Sequence, residues 1–383
     1  MNLPLELQLL VATYLVPVPM RLLDWVERGV LSDERVKGGD YIFPDYPQIK
    51  CQLCQDPRAV EFLKEHRDWI EWTHLSQNAG AGDLFDEVAL LEDGPEKAII
   101  FNSLNWCSLS QNPAAISVLR RNPAKIVWPQ LSGNPAAVDI LRANPAKINW
   151  GWLSGNPAPE AIDLLRANPT KIIWDVVSSN PAAIDLLRAN PDKLNYFQLS
   201  FNPVAIELFE GKPEKINGWA LSRRETPFAI EMLKRNPDAI VWAQLSRNPA
   251  AVDLLRANPT KIDWMYLSLN RAPAAMDLLR ANPDKIVWAQ LSENPAAIDL
   301  LRENLDKVDW KSLSTNEAAV DLLKDHPDKI RWSWLSSNPA ALDLLRENPD
   351  KILWPWLAKN PAIFEPDRGK YKLRCEEFVR ANF

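Results

Sequence analysis

"NPAALDLLRENPDKILWPWLAKNP", residues 338 to 361, places Asn-Pro ahead of three successive short segments. Proline cannot donate a ladder hydrogen bond, so prolines at this density exclude central strands. At the first helical position the missing N–H costs nothing, because that amide has no intrahelical partner. Asparagine just before it is a favoured N-cap, its side-chain oxygen accepting from the free amides of the first turn. The dipeptide therefore reads as a helix start, and its recurrence as a chain of short helices.

The pattern extends outward in both directions. From Pro113 one unit runs PAAISVLRRNPAKIVWPQLSGN, and the next begins at Pro135, a period of 22 residues. The Trp slot of the unit recurs thirteen times from Trp72 to Trp354, with Tyr196 and Gly218 as its two departures. Such self-similarity predicts an array rather than separate globules. Each unit supplies two helix starts, one for PAAIDLLRA and one for PDKIxWxxLS. Ile116 and Leu119 on the first and Trp128 and Leu131 on the second are each three apart, one apolar face apiece. Helices this short are marginal alone and must stack on neighbouring units. The fold class expected is all-α: an α-solenoid of about thirteen 22-residue two-helix repeats, with the Trp slot in the core.

The expected organisation is an N-terminal helical cap over residues 1–55, the repeat array over 56–364, and a capping helix over 365–383 that covers the last apolar face. Two-residue insertions precede the first helix at Asn156-Pro157-Ala158, Arg223-Arg224-Glu225-Thr226 and Asn270-Arg271-Ala272, always in the same loop, and so on one rim. The copy from Asn78 to Trp106 is longer by twelve residues and is the weakest repeat.

Composition narrows the function. The 383 residues are 46% hydrophobic and 25% charged, as in ordinary soluble proteins. Net charge is -6, from 44 basic against 50 acidic residues, and no basic run stands out, which argues against nucleic acid and anionic membranes as partners. The opening MNLPLELQLLVATYLVPVP has too short an apolar run for a spanning helix or a secretory signal, so neither membrane insertion nor secretion is expected. Four irregularly placed cysteines do not resemble a disulfide framework and point to a reducing compartment.

No phosphate-cradling glycine loop, zinc-binding His-Glu helix motif or nucleophile elbow occurs, and no enzyme activity, cofactor or metal is expected. Cys51 and Cys54 have the spacing of half a zinc site with His66 and His74 following. His66, however, fills the slot of Asn122 and Asn144, which reads as a helix-cap variant. Aspartates Asp139, Asp163, Asp185, Asp253 and Asp299 precede Arg142, Arg166, Arg188, Arg256 and Arg302 by three residues, a ladder of exposed pairs repeated too regularly to encode one site.

Recognition is expected where the copies differ. The slot two residues after the repeat Trp holds Gln130, Trp152, Gln198, Gln244, Tyr266, Gln290, Trp334 and Trp356, among others, and exposed aromatics are favoured anchors of protein contacts. This slot either faces solvent or packs against the adjacent helix, and Trp334 and Trp356 are the members expected to be exposed, because Trp332 and Trp354 fill the core slot. The residue three further on varies as freely, from Gly133 to Phe201, Arg223, Arg247 and Glu293.

The phrase LSxNPxAIxLLxxNPxKIxWxxLSxNP, running into NPAIFEPD at 360 to 367, resembles the short-helix repeat proteins encoded in many copies by giant nucleocytoplasmic DNA viruses. The likeness covers about residues 56 to 367. It implies an origin and a repeat fold, and supplies no activity or site residues. LPLELQLLVATYL at 3 to 15 resembles the opening helix of an F-box, with Leu3, Pro4, Glu6, Leu7, Tyr14 and Leu15 matching, while the following VPVPMRLLDWVERG departs from that module.

Together these give a non-catalytic protein–protein interaction scaffold, a structural or virion-associated component of a large DNA virus, with virion or host proteins as partners. Its location would be the virion or the infected cell's cytoplasm. The alternatives are an F-box-like substrate adaptor for a host ubiquitin ligase and a modular nucleic-acid reader, which the acidic balance opposes. Oligomeric state is left open.

Overall fold

The structure is a computed structural model that describes residues 20–24, 26–28, 47–209, 212 and 215–382. The F-box-like positions Leu3 to Leu15 lie outside the described residues. The chain forms two compact units: residues 126–341 make one, and residues up to 125 together with 342–383 make the other. Both are built from repeated short helices, and the architecture is an all-α repeat solenoid. No helix among the described residues is long and apolar enough to cross a membrane.

In the unit formed by residues 126–341, the second helices of successive repeats, such as Trp242–Arg247 and Trp264–Ser268, pack side by side, and so do the first helices. Between these rows lie Leu131, Leu141, Leu153, Leu165 and their equivalents, all fully buried. Most first helices start as a single 3-10 turn on Pro-Ala-Ala and continue as α-helix, as in Pro249–Ala251 followed by Val252–Arg256, while the copy after Asn202 forms only the 3-10 helix Ile206–Phe209. Where two residues are inserted, the turn and helix merge into one nine-residue α-helix: Pro159–Ala167, Pro227–Arg235 and Pro273–Ala281.

The expected second helix is not continuous. Pro-x-Lys forms only a 3-10 turn, the next two residues are extended, and α-helix begins at the Trp, as in Pro145–Lys147 followed by Trp150–Ser154. Nor does the asparagine before this turn cap it. Asn144, Asn168 and Asn258 instead donate their side-chain amides back to Ile140, Leu164 and Leu254, closing the preceding helix at its C-terminus.

The first asparagine of each unit accepts from the turn as expected and does considerably more. Asn270 is fully buried: its Oδ1 accepts from the Ala272 amide at 2.9 Å, and its Nδ2 donates to Ser246 O at 2.9 Å and Asn248 O at 3.1 Å, both in the preceding repeat. The serine two residues earlier in the phrase forms a second rung. Ser246 Oγ donates to Trp242 O at 2.8 Å and accepts from the Asp263 amide of the next repeat at 2.9 Å. That amide is free because it lies in the extended step that interrupts the second helix. The same bonds recur at Ser132 and Asn156, Ser154 and Asn180, and Ser314 and Asn338.

The core thus belongs to Leu, Ala, Ile, Ser and Asn rather than to the Trp slot. Trp128, Trp150, Trp242 and Trp288 are only half-buried, and Trp354 is the buried member of the slot among the described residues.

In the other unit the ladder begins earlier than the array boundary at residue 56. Asn78 donates to Cys54 O and Asp56 O, and the Glu71 amide donates to Cys54 Sγ, so Leu53-Cys54-Gln55-Asp56-Pro57 is a variant of Leu-Ser-x-Asn-Pro. The longer copy's extra residues fold as the helices Gly82–Leu90 and Pro95–Ser103.

In this unit described residues from near the two ends of the sequence meet. Met20–Leu22 pairs antiparallel with Phe364–Pro366, setting Leu22 opposite Phe364. Arg58 donates to Pro361 O at 2.7 Å and lies over the Phe364 ring, and the helix Trp354–Leu357 packs on Pro47–Gln55. The C-terminal helix Arg368–Asn382 lies against Val60–Glu65, with Lys370 on Glu65 at 2.6 Å and Arg374 on Glu61 at 2.9 Å.

Two tests follow from this packing. Asn270→Ala strands the buried Ser246 carbonyl and leaves the Asn248 carbonyl with the Ala251 amide alone, and should cost about 2 kcal/mol, whereas Asn258→Ala removes one half-exposed bond and should cost about 1 kcal/mol, read by chemical denaturation. Burial opposes the charge on Glu61, but Lys64, Arg374 and Lys370 outweigh it and hold its carboxyl below the usual range. Stability from a depressed carboxyl is present above its unfolded value, 4.5, and is lost as pH falls through the folded value. Hydrogen-exchange protection of Arg368–Asn382 should therefore drop in that acid window, and Glu61→Gln should flatten the dependence.

Candidate protein-binding surface

The buried phrase leaves three positions per repeat facing outward at the second helix: the two after the Trp slot and the one after the ladder serine. The second and third meet between repeats. A Cβ on Gly133 would stand 3.1 Å from the Trp152 ring, one on Gly155 would stand 3.3 Å from Val176, and Ser312 Oγ donates to Glu293 at 3.3 Å. Each residue two after the Trp slot therefore covers the serine-following residue of the repeat before.

This packing decides which sequence candidates are accessible. Trp152 is 44% exposed. Gln130, Gln198, Gln244, Tyr266, Gln290, Trp334 and Trp356 are half-buried, and Gln130 and Gln290 have buried side-chain oxygens without a partner. Trp334 and Trp356 are thus half-buried rather than open indoles, Trp334 under Lys311 of the preceding repeat and Trp356 under Lys359 of its own, both at 4.7 Å.

Among the described residues the exposed aromatics are Trp152, Phe197, Phe201, Trp219 and Phe228, and three of them cluster. Phe197 is 59% exposed and Trp219 41%, with Phe201 between them at 41%. Their rings touch: Phe197 to Phe201 at 5.7 Å between centroids and Phe201 to Trp219 at 6.1 Å. Arg223 lies over the Trp219 ring at 4.7 Å. The patch falls on the two repeats whose Trp slot holds Tyr196 and Gly218, a departure visible in the sequence. Gly218 is required there, since a Cβ would stand 1.6 Å from Ala239 O of the following repeat.

Beside the patch is a cleft of about 380 Å³, lined by Arg223, Glu225, Gln244, Arg247, Asn248, Pro249, Leu269 and Arg271. Two insertions make its walls: one brings Arg223 and Glu225, the other Leu269 and Arg271, and the uninserted turn at Asn248-Pro249 belongs to the repeat between.

The other sequence candidates are structural. Cys54 is fully buried, donates to Trp69 O, and occupies the ladder-serine place. Burial pushes its thiol up to about 11. Glu27, Glu65 and His66 bring ligand atoms within 4.8 Å of one another, but Glu65 is held by Lys370 and His66 pairs with Glu27. The Asp–Arg ladder forms exposed pairs such as Asp163–Arg166 at 3.1 Å, whose contribution to stability is small.

Gly218→Ala should destabilise the chain by about 2 kcal/mol or more, because backbone of the next repeat has to move. An unchanged melting temperature would show that the turn adapts freely. No family model, curated protein or solved structure matches the chain.

Proposed function

We propose that the protein is a non-catalytic interaction scaffold that binds partner proteins through the variable face of residues 126–341, with Phe197, Phe201 and Trp219 as anchors. The observation that carries this reading is the contiguous exposed patch of three mutually packed aromatics, in a fold whose repeating polar groups are almost all consumed internally. Three large rings left in water at one place are a cost to a free chain and an asset to a bound one, since aromatic anchors dominate interface energetics.

The resemblance of the repeat phrase to giant-virus repeat proteins supports a virion component or a protein of the infected cell as the setting. The acidic balance of the chain and its exposed aspartate ladder support protein rather than nucleic acid as the general partner.

The reading is tested by affinity capture with the intact chain and with the Phe197→Ser/Trp219→Ser variant, followed by quantitative mass spectrometry. Each truncated anchor should cost about 2 kcal/mol of binding, so enriched partners should fall at least tenfold. An identical partner set with both proteins would remove this surface as the interface.

A further inference from the structure

We infer that the cleft between the two insertions is a receptor for a short acidic peptide segment of the partner, whose carboxylates enter among Arg223, Arg247 and Arg271 while a neighbouring apolar side chain lies on the Phe197–Phe201–Trp219 patch. The inference rests on the scaffold reading and adds the chemistry of what is bound.

Three arginines from three consecutive repeats converge on one cavity. Elsewhere in the same unit some arginines are paired, Arg166 with Asp163, Arg235 with Glu231 and Arg256 with Asp253, while Arg142, Arg280 and Arg302 stand without a carboxylate partner among the described residues, so what sets the cleft apart is that three guanidinium groups converge on it. Arg223, Arg247 and Arg271 have no carboxylate partner among the described residues, although Glu225 lines the same cleft. Arg224 replaces the ladder asparagine beside them. It is half-buried and likewise unpaired, and burial alone holds it below the usual arginine value. Unneutralised guanidinium groups gathered in a concave, partly desolvated place are matched by carboxylates in bidentate pairs. Gln244, which makes no hydrogen bond to another described residue, leaves an amide for the peptide backbone.

Arg223 joins the two halves of the surface, lining the cleft while stacking on Trp219. A ligand that spans both therefore carries an anion and an apolar group close together. The extent of the positive charge decides between a peptide and a nucleic-acid strand. In the row that follows the ladder serines, the arginines at 223 and 247 are bounded by Phe201 on one side and by Leu269 and Glu293 on the other. A phosphodiester backbone continuing along the row meets the Glu293 carboxylate, whereas a short acidic segment ends within the cleft. One face of Trp219 is already taken by Arg223, which further reduces the room for base stacking.

The test uses the full chain and a short fluorescein-labelled peptide rich in glutamate and ending in Leu-Trp, with its glutamine counterpart and a labelled uridine oligonucleotide as comparisons, by fluorescence anisotropy at low salt. The glutamate peptide should bind, the glutamine peptide should not, and added salt should weaken binding. Arg247→Gln/Arg271→Gln should weaken it at least tenfold, Trp219→Ala should weaken it as well, and Arg256→Gln, outside the cleft, should leave it unchanged. All these residues are exposed, and circular dichroism confirms that each variant is folded.

Binding that survives Arg247→Gln/Arg271→Gln, an absence of binding by the wild-type chain, or tighter binding of the oligonucleotide would each overturn the inference. If the peptide fails while Phe197→Ser/Trp219→Ser still loses captured partners, the cleft assignment falls and the scaffold reading stands. If Phe197→Ser/Trp219→Ser keeps every partner, the scaffold reading itself falls.

Discussion

The bond on which the rest depends is the asparagine side chain that reaches into the preceding repeat. Amide side chains offer two donors and an acceptor, and a fully buried Asn270 uses all of them: one oxygen to start its own helix, two hydrogens to hold the carbonyls of Ser246 and Asn248. The Ser246 carbonyl lies at the end of a short helix and has no partner within it, while the Asn248 carbonyl also accepts from the Ala251 amide of the next turn. Helices of five or six residues leave a large share of their backbone groups unpaired, and this fold answers that with side chains placed once per repeat. The serine hydroxyl completes the arrangement by taking the one amide that the interrupted second helix releases.

Because each repeat's polar needs are met by residues of the repeated phrase, the outward positions are free to differ. They do so in pairs across the repeat boundary, a glycine at 133 under a tryptophan at 152, a glutamate at 293 beside a serine at 312. Recognition chemistry can accumulate there without disturbing the ladder. Arg224 shows how far this goes. It has taken the asparagine's place, yet its backbone carbonyl still receives the Nδ2 of Asn248 at 2.8 Å, so the rung survives on the main chain alone.

Period, helical class and the position of the leucine core were legible in the sequence, since they follow from proline spacing and apolar periodicity. The split of the second helix was not, because a capping rule treats both Asn-Pro dipeptides alike. Only three-dimensional context shows that Asn156 faces a neighbouring repeat while Asn144 faces its own helix. The tryptophans were assigned to the core on size and regularity, whereas the recurrent serine, which is wholly buried, gave the truer signal. Cys54 looked like half of a metal site because the Leu-Cys-Gln-Asp-Pro variant of the phrase was not recognised. The arginines of the cleft escaped notice for a related reason: they lie one repeat apart, so no basic run forms in the chain. The aromatic patch could have been found where the Trp slot fails, at Tyr196 and Gly218.

The pairing of Met20–Leu22 with Phe364–Pro366 imposes an order on folding. Within residues 126–341 the rungs of the ladder join residues 17 to 26 apart, so each can form as soon as two neighbouring repeats are made. The bonds between the ends join residues more than three hundred positions apart, such as Arg58 to Pro361 and Lys370 to Glu65. A contact of that separation is entropically remote in an unfolded chain, and becomes near only after the intervening repeats have shortened the path between its partners. The terminal strands are therefore the last to dock. Once docked, they give the first and last repeats, which in a linear array have one neighbour each and open first, a second neighbour in each other.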